Sequence, residues 1–151
     1  MGRVLALDLG TRRIGLAMSD ELNLTAQGLP TLTRRNLQWD LAELTRIAAA
    51  HNVERILLGD PKRMDGEQGT QSEWAREFKV ELESSLGMPV EMWDERLTSR
   101  EAERTLRGSR IANSDRKAAI DRLSAVILLQ SYLDSRYLQT HGWNPGEDPS
   151  A

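Results

Sequence analysis

Cysteine is absent from the 151 residues, which excludes disulfides, thiolate zinc sites and cysteine nucleophiles. Only two histidines are present, His51 and His141, and their wide separation matches no zinc motif. Any metal bound by this chain is therefore expected to have oxygen ligands, which favours Mg²⁺ or Mn²⁺.

Long apolar runs are also absent. No stretch approaches the roughly 20 residues of a membrane helix, and Asp8 interrupts the apolar segment near the N-terminus that would otherwise resemble a signal core. We therefore expect a cytoplasmic protein with no membrane partner. Length and ordinary composition predict one domain, at 1–138, followed by a flexible tail at 139–151 that contains several glycines and prolines.

A net positive charge is absent overall, but the basic residues are unevenly distributed. The formal net charge is −3, yet eight basic and four acidic residues between 96 and 122 give that segment +4 and the remainder −7. Local charge governs contact with phosphates more than total charge does. A solvated helix surface with Glu–Arg pairs explains the same pattern, and this explanation is favoured for the feature taken alone.

Hydrophobic periodicity predicts an alternation of strands and helices. Strands are predicted at 3–8, 13–19, 29–33, 53–58 and 90–94, and helices at 36–51, 70–86, 99–107 and 114–137. The first two strands are joined by a tight turn and should pair antiparallel. Because each later strand follows a helix, it should lie parallel in a mixed sheet, with helices on both faces.

Three acidic residues stand at informative places in this pattern. Asp8 and Glu95 end predicted core strands, and Asp121 lies on a mainly apolar face of the last helix. Burying a carboxylate costs free energy unless its charge is compensated. Together the three acids would hold two Mg²⁺ ions roughly 3.5–4 Å apart, an arrangement that catalyses phosphodiester hydrolysis.

Each acid taken alone also has a structural explanation. Asp8 could accept hydrogen bonds from the amides of its glycine turn, Glu95 could pair with a neighbouring arginine, and Asp121 could pair with Lys117 one helical turn away. These explanations are about as probable as the functional one for any single acid. For all three acids in this topology, the metal site is favoured.

Four motifs resemble the YqgF family, also called RuvX, of the RNase H-like nuclease superfamily. They are DLGTRRIGLA at 8–17, LGDP at 58–61 with MDG at 64–66, WDERLTS at 93–99, and Lys117 followed by DRLSA at 121–125. The resemblance covers residues 3–137. It implies an α/β RNase H-like fold, with a five-stranded mixed sheet whose second strand is antiparallel and with helices on both faces.

The resemblance also implies a divalent-metal nuclease related to Holliday-junction resolvases. The catalytic and metal-binding acids of the family fall on Asp8, Glu95 and Asp121, which would hold two Mg²⁺ or Mn²⁺ ions. The family is associated with maturation of the 5′ end of 16S ribosomal RNA, so an rRNA precursor is the expected substrate, and branched or single-stranded DNA is a further candidate.

Two other acids lie near these motifs. Asp60 takes a position that is usually apolar in the family; it is either a fourth acid near the site or a loop residue, and we favour the loop. Asp94 precedes Glu95, and strand alternation should send it to the opposite face of the sheet.

Basic residues near the predicted acids are candidates for nucleic-acid binding, with surface solvation as the alternative for each. They are Arg12, Arg13, Arg96, Arg110, Arg116 and Lys117.

The same surface would serve a non-catalytic nucleic-acid-binding factor in ribosome assembly or transcription, although acids beside phosphate argue against a pure binder. An actin-like ATPase is disfavoured because it needs a second Asp-x-Gly-Thr turn, which the sequence lacks. Monomer and homodimer both remain open.

Overall fold

The computed structural model describes residues 2–60, 70–94 and 113–141. Five strands and three helices lie within these residues. The strands are β1 (Arg3–Leu9), β2 (Arg13–Ser19), β3 (Ala26–Thr33), β4 (Val53–Asp60) and β5 (Val90–Asp94). The helices are α1 (Leu37–Ala50), α2 (Thr70–Leu86) and α3 (Asn113–His141).

The strands form one mixed sheet in the order β3-β2-β1-β4-β5. Strand β2 runs antiparallel to both of its neighbours, whereas β1, β4 and β5 are mutually parallel. Each strand that follows a helix is therefore parallel to the strand beside it, as the sequence pattern predicts. The predicted five-stranded sheet with an antiparallel second strand is confirmed.

Helices pack on both faces of the sheet. Alternate β1 residues such as Leu5 and Leu7 join one buried cluster with apolar residues of α1 and α2. Val4 and Ala6, on the other face, join a second cluster with α3 residues such as Leu128. The period-2 alternation of strand side chains thus divides the core into two layers.

Local sequence accounts for the ends of the helices. The Asn36 side chain accepts a hydrogen bond from the amide of Trp39 at 2.8 Å and caps α1. Helix α2 is followed by Gly87 at a φ of +66°, where its amide bonds the carbonyl of Glu83 at 3.0 Å. Glycine is favoured at this left-handed position because it lacks a Cβ.

The structure corrects one assignment and differs at some boundaries. Asp60 is not a loop residue: it is the last residue of β4, it pairs in register with Asp94, and it is only 8% exposed. Helix α3 continues to His141, beyond the predicted domain end at 138, and 142–151 lie outside the described residues. The predicted helix at 99–107 also lies outside them. No described helix is long and apolar enough to cross a membrane.

Candidate active site

Asp8 lies near the end of β1 on the face covered by α3. It alternates along the strand with Val4 and Ala6, which pack against that helix. Its antiparallel partner on β2 is Gly15. Because directly opposed residues of neighbouring strands point to the same face, Gly15 also faces α3.

Gly15 allows α3 to approach the sheet very closely. A Cβ built at Gly15 would stand 2.0 Å from the backbone oxygen of Asp121. Cross-strand Cβ positions are about 4.5–5.5 Å apart, so the Asp8 Cβ lies at most about 7.5 Å from that oxygen. Two of the three predicted acids, Asp8 and Asp121, are therefore brought together at one end of the sheet.

The third predicted acid, Glu95, lies outside the described residues. Strand β5 ends at Asp94, and its Trp93 pairs with Gly59 on β4, whose neighbour Leu58 pairs with Leu7 on β1. The parallel strands β1 and β5 thus end at the same edge of the sheet, and Trp93 packs into the α3-facing cluster. Across residues 2–60, 70–94 and 113–141, no group of three or more acidic or histidine side chains is placed to hold a metal.

The buried acid Asp60 does not belong with this pair of acids. It alternates with Leu58, which joins the cluster on the α1–α2 face. Asp60 and Asp8 therefore lie on opposite faces of the sheet.

Arg13 connects the start of β2 directly to Asp121. Its Nε donates a hydrogen bond to Oδ2 of Asp121 at 2.9 Å, and the two side chains are 30% and 28% exposed. An ion pair this accessible to water contributes at most about 1 kcal/mol to stability. Its importance lies in position, because a guanidinium stands beside the acidic pair, where a phosphate would also be attracted.

The turn between β1 and β2 is closed by its own backbone. The amide of Gly10 donates to the carbonyl of Arg13 at 2.9 Å. Arg12 projects from this turn and is exposed. Of the other predicted nucleic-acid-binding residues, Arg116 and Lys117 lie within α3 but without described side chains, and Arg96 and Arg110 lie outside the described residues.

Sequence reasoning missed Arg34, which forms hydrogen bonds to this turn from the α1–α2 side of the sheet. Its Nη1 donates to the carbonyl of Gly10 at 3.0 Å, and its backbone amide donates to the carbonyl of Arg12 at 2.9 Å. Its Nε donates to Oδ2 of Asp40 at 2.9 Å, and Asp40 is fully buried. The turn that follows Asp8 is thereby tied to the start of α1.

Aromatic rings of α2 complete the surroundings of Arg34. Its guanidinium carbon lies 5.6 Å from the ring centroid of Trp74 and 5.4 Å from that of Phe78. Cation–π contacts of this kind stabilise a cation that is shielded from water. The only feature of the sequence that could have pointed to this role of Arg34 is Asp40 in the first turn of α1. An acid at that position usually indicates an exposed residue near the positive end of the helix.

Replacing Gly15 by alanine tests the close approach of α3. The added Cβ would collide with helix backbone, so we expect a loss of about 1–3 kcal/mol in the free energy of unfolding. Gly28→Ala is the matched control, because its Cβ would meet the flexible side chain of Arg122 at 2.7 Å. Urea unfolding of both variants gives the comparison. Equal, small losses would show that α3 is not held against β2 in this way.

Comparison with known protein families identifies the family of this chain. The family model described as "RuvX: Holliday junction resolvase" matches residues 2–135. The chain belongs to the RuvX family. Its relatives include the "Putative pre-16S rRNA nuclease" of Koribacter versatilis, 51% identical over 89% of this chain and 88% of the relative. The Myxococcus xanthus protein of the same description is 42% identical, over 96% of both chains.

Solved structures share the fold of this RuvX-family chain. Thermus thermophilus RuvC in complex with a Holliday junction substrate aligns with a TM-score of 0.55 and 13% identity, over 91% of this chain and 96% of RuvC. The fowlpox virus resolvase in its Holliday junction complex aligns with a TM-score of 0.53 and 13% identity, over 89% and 98% of the two chains. The expected RNase H-like architecture is thus confirmed.

Proposed function

We propose that this RuvX-family protein is a divalent-metal-dependent nuclease that hydrolyses phosphodiester bonds. One observation carries the proposal: Gly15 lets α3 approach β2 so closely that Asp8 and Asp121 share one end of the sheet. Glu95 follows β5 directly and would complete the acidic group at that edge.

The residues at this edge fit a hard divalent cation. Asp8 and Asp121 offer carboxylate oxygens, which Mg²⁺ and Mn²⁺ prefer, and the sequence contains no thiol that would favour a softer metal. When bound, two such ions supply Lewis-acid stabilisation and activation of water for hydrolysis. Asp8 and Asp121 would hold the ions. Arg13, held to Asp121 through Nε, has terminal nitrogens that would bind a phosphate oxygen of the substrate.

The proposed physiological substrate is the precursor of 16S ribosomal RNA. The proposal follows the descriptions of relatives that are 42–51% identical to this chain over most of its length. Branched DNA is the second substrate to be tested, because the resolvases of similar fold were solved with Holliday junctions. This function would place the protein in the cytoplasm, where ribosomal RNA is processed.

Metal dependence is tested with labelled RNA spanning the 5′ leader of 16S rRNA and with a four-way DNA junction. We expect cleavage in Mg²⁺ or Mn²⁺, loss of all product in EDTA, and recovery when excess Mn²⁺ is returned, because the acids need a cation to act on phosphate. Product formation that continues unchanged in EDTA would contradict the proposed role of the metal.

A non-catalytic nucleic-acid-binding function is the second candidate. The observation that favours it is the Arg13–Asp121 ion pair, which already neutralises one of the two described acids. A pure binder would hold RNA equally well with and without divalent metal and would give no product in long incubations.

A further inference from the structure

Arg35 and Trp39 form a stacked pair at the start of α1. The guanidinium carbon of Arg35 lies 4.3 Å from the centroid of the Trp39 ring. Arg35 is exposed, whereas Trp39 is half-buried and packs against the core cluster of the α1–α2 face. A ring fixed by the core therefore holds a flat cation at the surface.

This pair lies at the same end of the sheet as Asp8 and Asp121. Strand β3 ends at Thr33, which pairs with Arg13, and the amide of Arg34 donates to the carbonyl of Arg12. Arg35 follows at once and stacks on Trp39 on the α1–α2 side of the sheet, whereas Asp8 lies on the α3 side at the same end. Arg12 is an exposed residue of the β1–β2 turn, and its carbonyl accepts the hydrogen bond from the Arg34 amide.

Neither guanidinium forms an ion pair with another described residue, although the pKa of Glu43 is lowered first by its hydrogen bond from Arg46 and to a smaller extent by the charge of Arg35. Within the part of the chain that the structure describes, no carboxylate lies within 4.0 Å of the side chain of Arg12 or Arg35. Asp40 bonds only the backbone amide of Arg35, and its charge is met by the Arg34 guanidinium. Two arginines that form no ion pair with another described residue, together with one aromatic ring, therefore lie at this end of the sheet.

We propose that Arg35 and Trp39 form a subsite for an unpaired nucleotide that flanks the cleaved bond. An exposed guanidinium plane is a surface on which an unstacked base packs, and Arg12 would attract the connecting phosphate. A base within a duplex is already stacked on its neighbours and cannot use such a plane. The site would therefore favour a single-stranded segment beside the scissile phosphate. This inference rests on the proposed nuclease function.

The experiment separates stacking from simple charge attraction. Binding of a labelled single-stranded RNA dodecamer and of an RNA duplex of equal length is measured by fluorescence anisotropy in EDTA, so that cleavage does not interfere. For Arg35→Ala we expect about tenfold weaker binding of the single strand and less than about twofold change for the duplex. Arg35→Lys should lose most of the same affinity, because it keeps the charge but not the plane.

Arg46→Ala is the matched control, since it removes one positive charge from α1 about two helical turns beyond Trp39. Arg46 is paired with Glu43 at the surface, and its loss should change single-strand affinity by less than about twofold. Binding should also quench tryptophan fluorescence in the parent protein and do so less in Trp39→Phe. Thermal unfolding of every variant verifies that it is folded.

Three results would overturn the subsite: Arg35→Lys that binds like the parent, Arg35→Ala that matches Arg46→Ala, or equal losses for single strand and duplex. Any of these would show that Arg35 only stabilises the start of α1 or attracts phosphate without stacking. Because affinity is read without metal, failure of the nuclease proposal would appear separately, as absent cleavage with unchanged binding.

Discussion

Asparagine in place of Asp8 or Asp121 is expected to lower phosphodiester cleavage by at least about 100-fold, because a neutral amide holds a divalent cation far less strongly than a carboxylate does. Initial rates with the 16S leader RNA at saturating Mn²⁺ measure the effect. The Arg13–Asp121 ion pair is partly exposed, so its loss should lower the free energy of unfolding by no more than about 1 kcal/mol. For Asp121→Asn, the loss of rate should therefore not arise from unfolding.

Asp134→Asn is the control for these two substitutions. Asp134 is an exposed acid on the same helix as Asp121 and accepts a hydrogen bond from Gln130 at 2.9 Å. Its variant should cleave within about twofold of the parent rate. If Asp8→Asn or Asp121→Asn cleaved as fast as Asp134→Asn, the proposed metal ligands would be the wrong ones.

The largest stability effect is expected for Arg34→Met, which should cost about 3–5 kcal/mol in the free energy of unfolding. Asp40 is 0% exposed, and its Oδ2 would lose the guanidinium that balances its charge. Methionine preserves much of the volume beside Trp74 and Phe78, so the loss reports the charge of Arg34 and its hydrogen bond to Gly10 rather than packing. Urea unfolding followed by circular dichroism gives the value.

Two further variants show whether the loss of stability in Arg34→Met arises from the unpaired charge of Asp40. Arg34→Met combined with Asp40→Asn should regain at least half of the loss, because a buried amide requires no counter-charge. Arg46→Met removes the arginine of a surface pair with Glu43 and should cost less than about 1 kcal/mol. A single Arg34→Met variant as stable as Arg46→Met would mean that the Asp40 carboxylate does not depend on Arg34.

Much of the fold could be predicted from the sequence because the hydrophobic periodicity of a strand or helix lies within that segment alone. The predicted bounds of β2, β5 and α2 agree with the structure, and Asn36 caps α1 as its position indicates. Strand β3 was predicted to begin at residue 29 but begins at Ala26. Its first residues are mostly exposed and carry little apolar signal, yet they pair with the end of β2, where Ala26 is the partner of Ser19.

The Asp60 prediction was wrong because glycine and proline on either side of this residue indicate a turn. Pairing with β5 extends β4 through this residue instead, and such pairing depends on a strand more than 30 residues away. Local signals cannot report a partner that distant.

Contacts between distant segments could not be predicted from the sequence either. Arg13 and Asp121 are separated by 108 residues, and no periodicity relates them. The burial of Asp40 was likewise hidden, because an acid in the first turn of a helix is usually solvated. The sequence motif contained Gly15, but only the folded chain shows that this glycine allows the close approach of α3.

The contact between Gly15 and α3 joins main chain to main chain, with no side chain between them. Such a contact has no rotamers to order when a ligand arrives. The separation of the two segments that carry Asp8 and Asp121 is therefore fixed by folding itself, so that a cation or a phosphate would meet segments that are already in place.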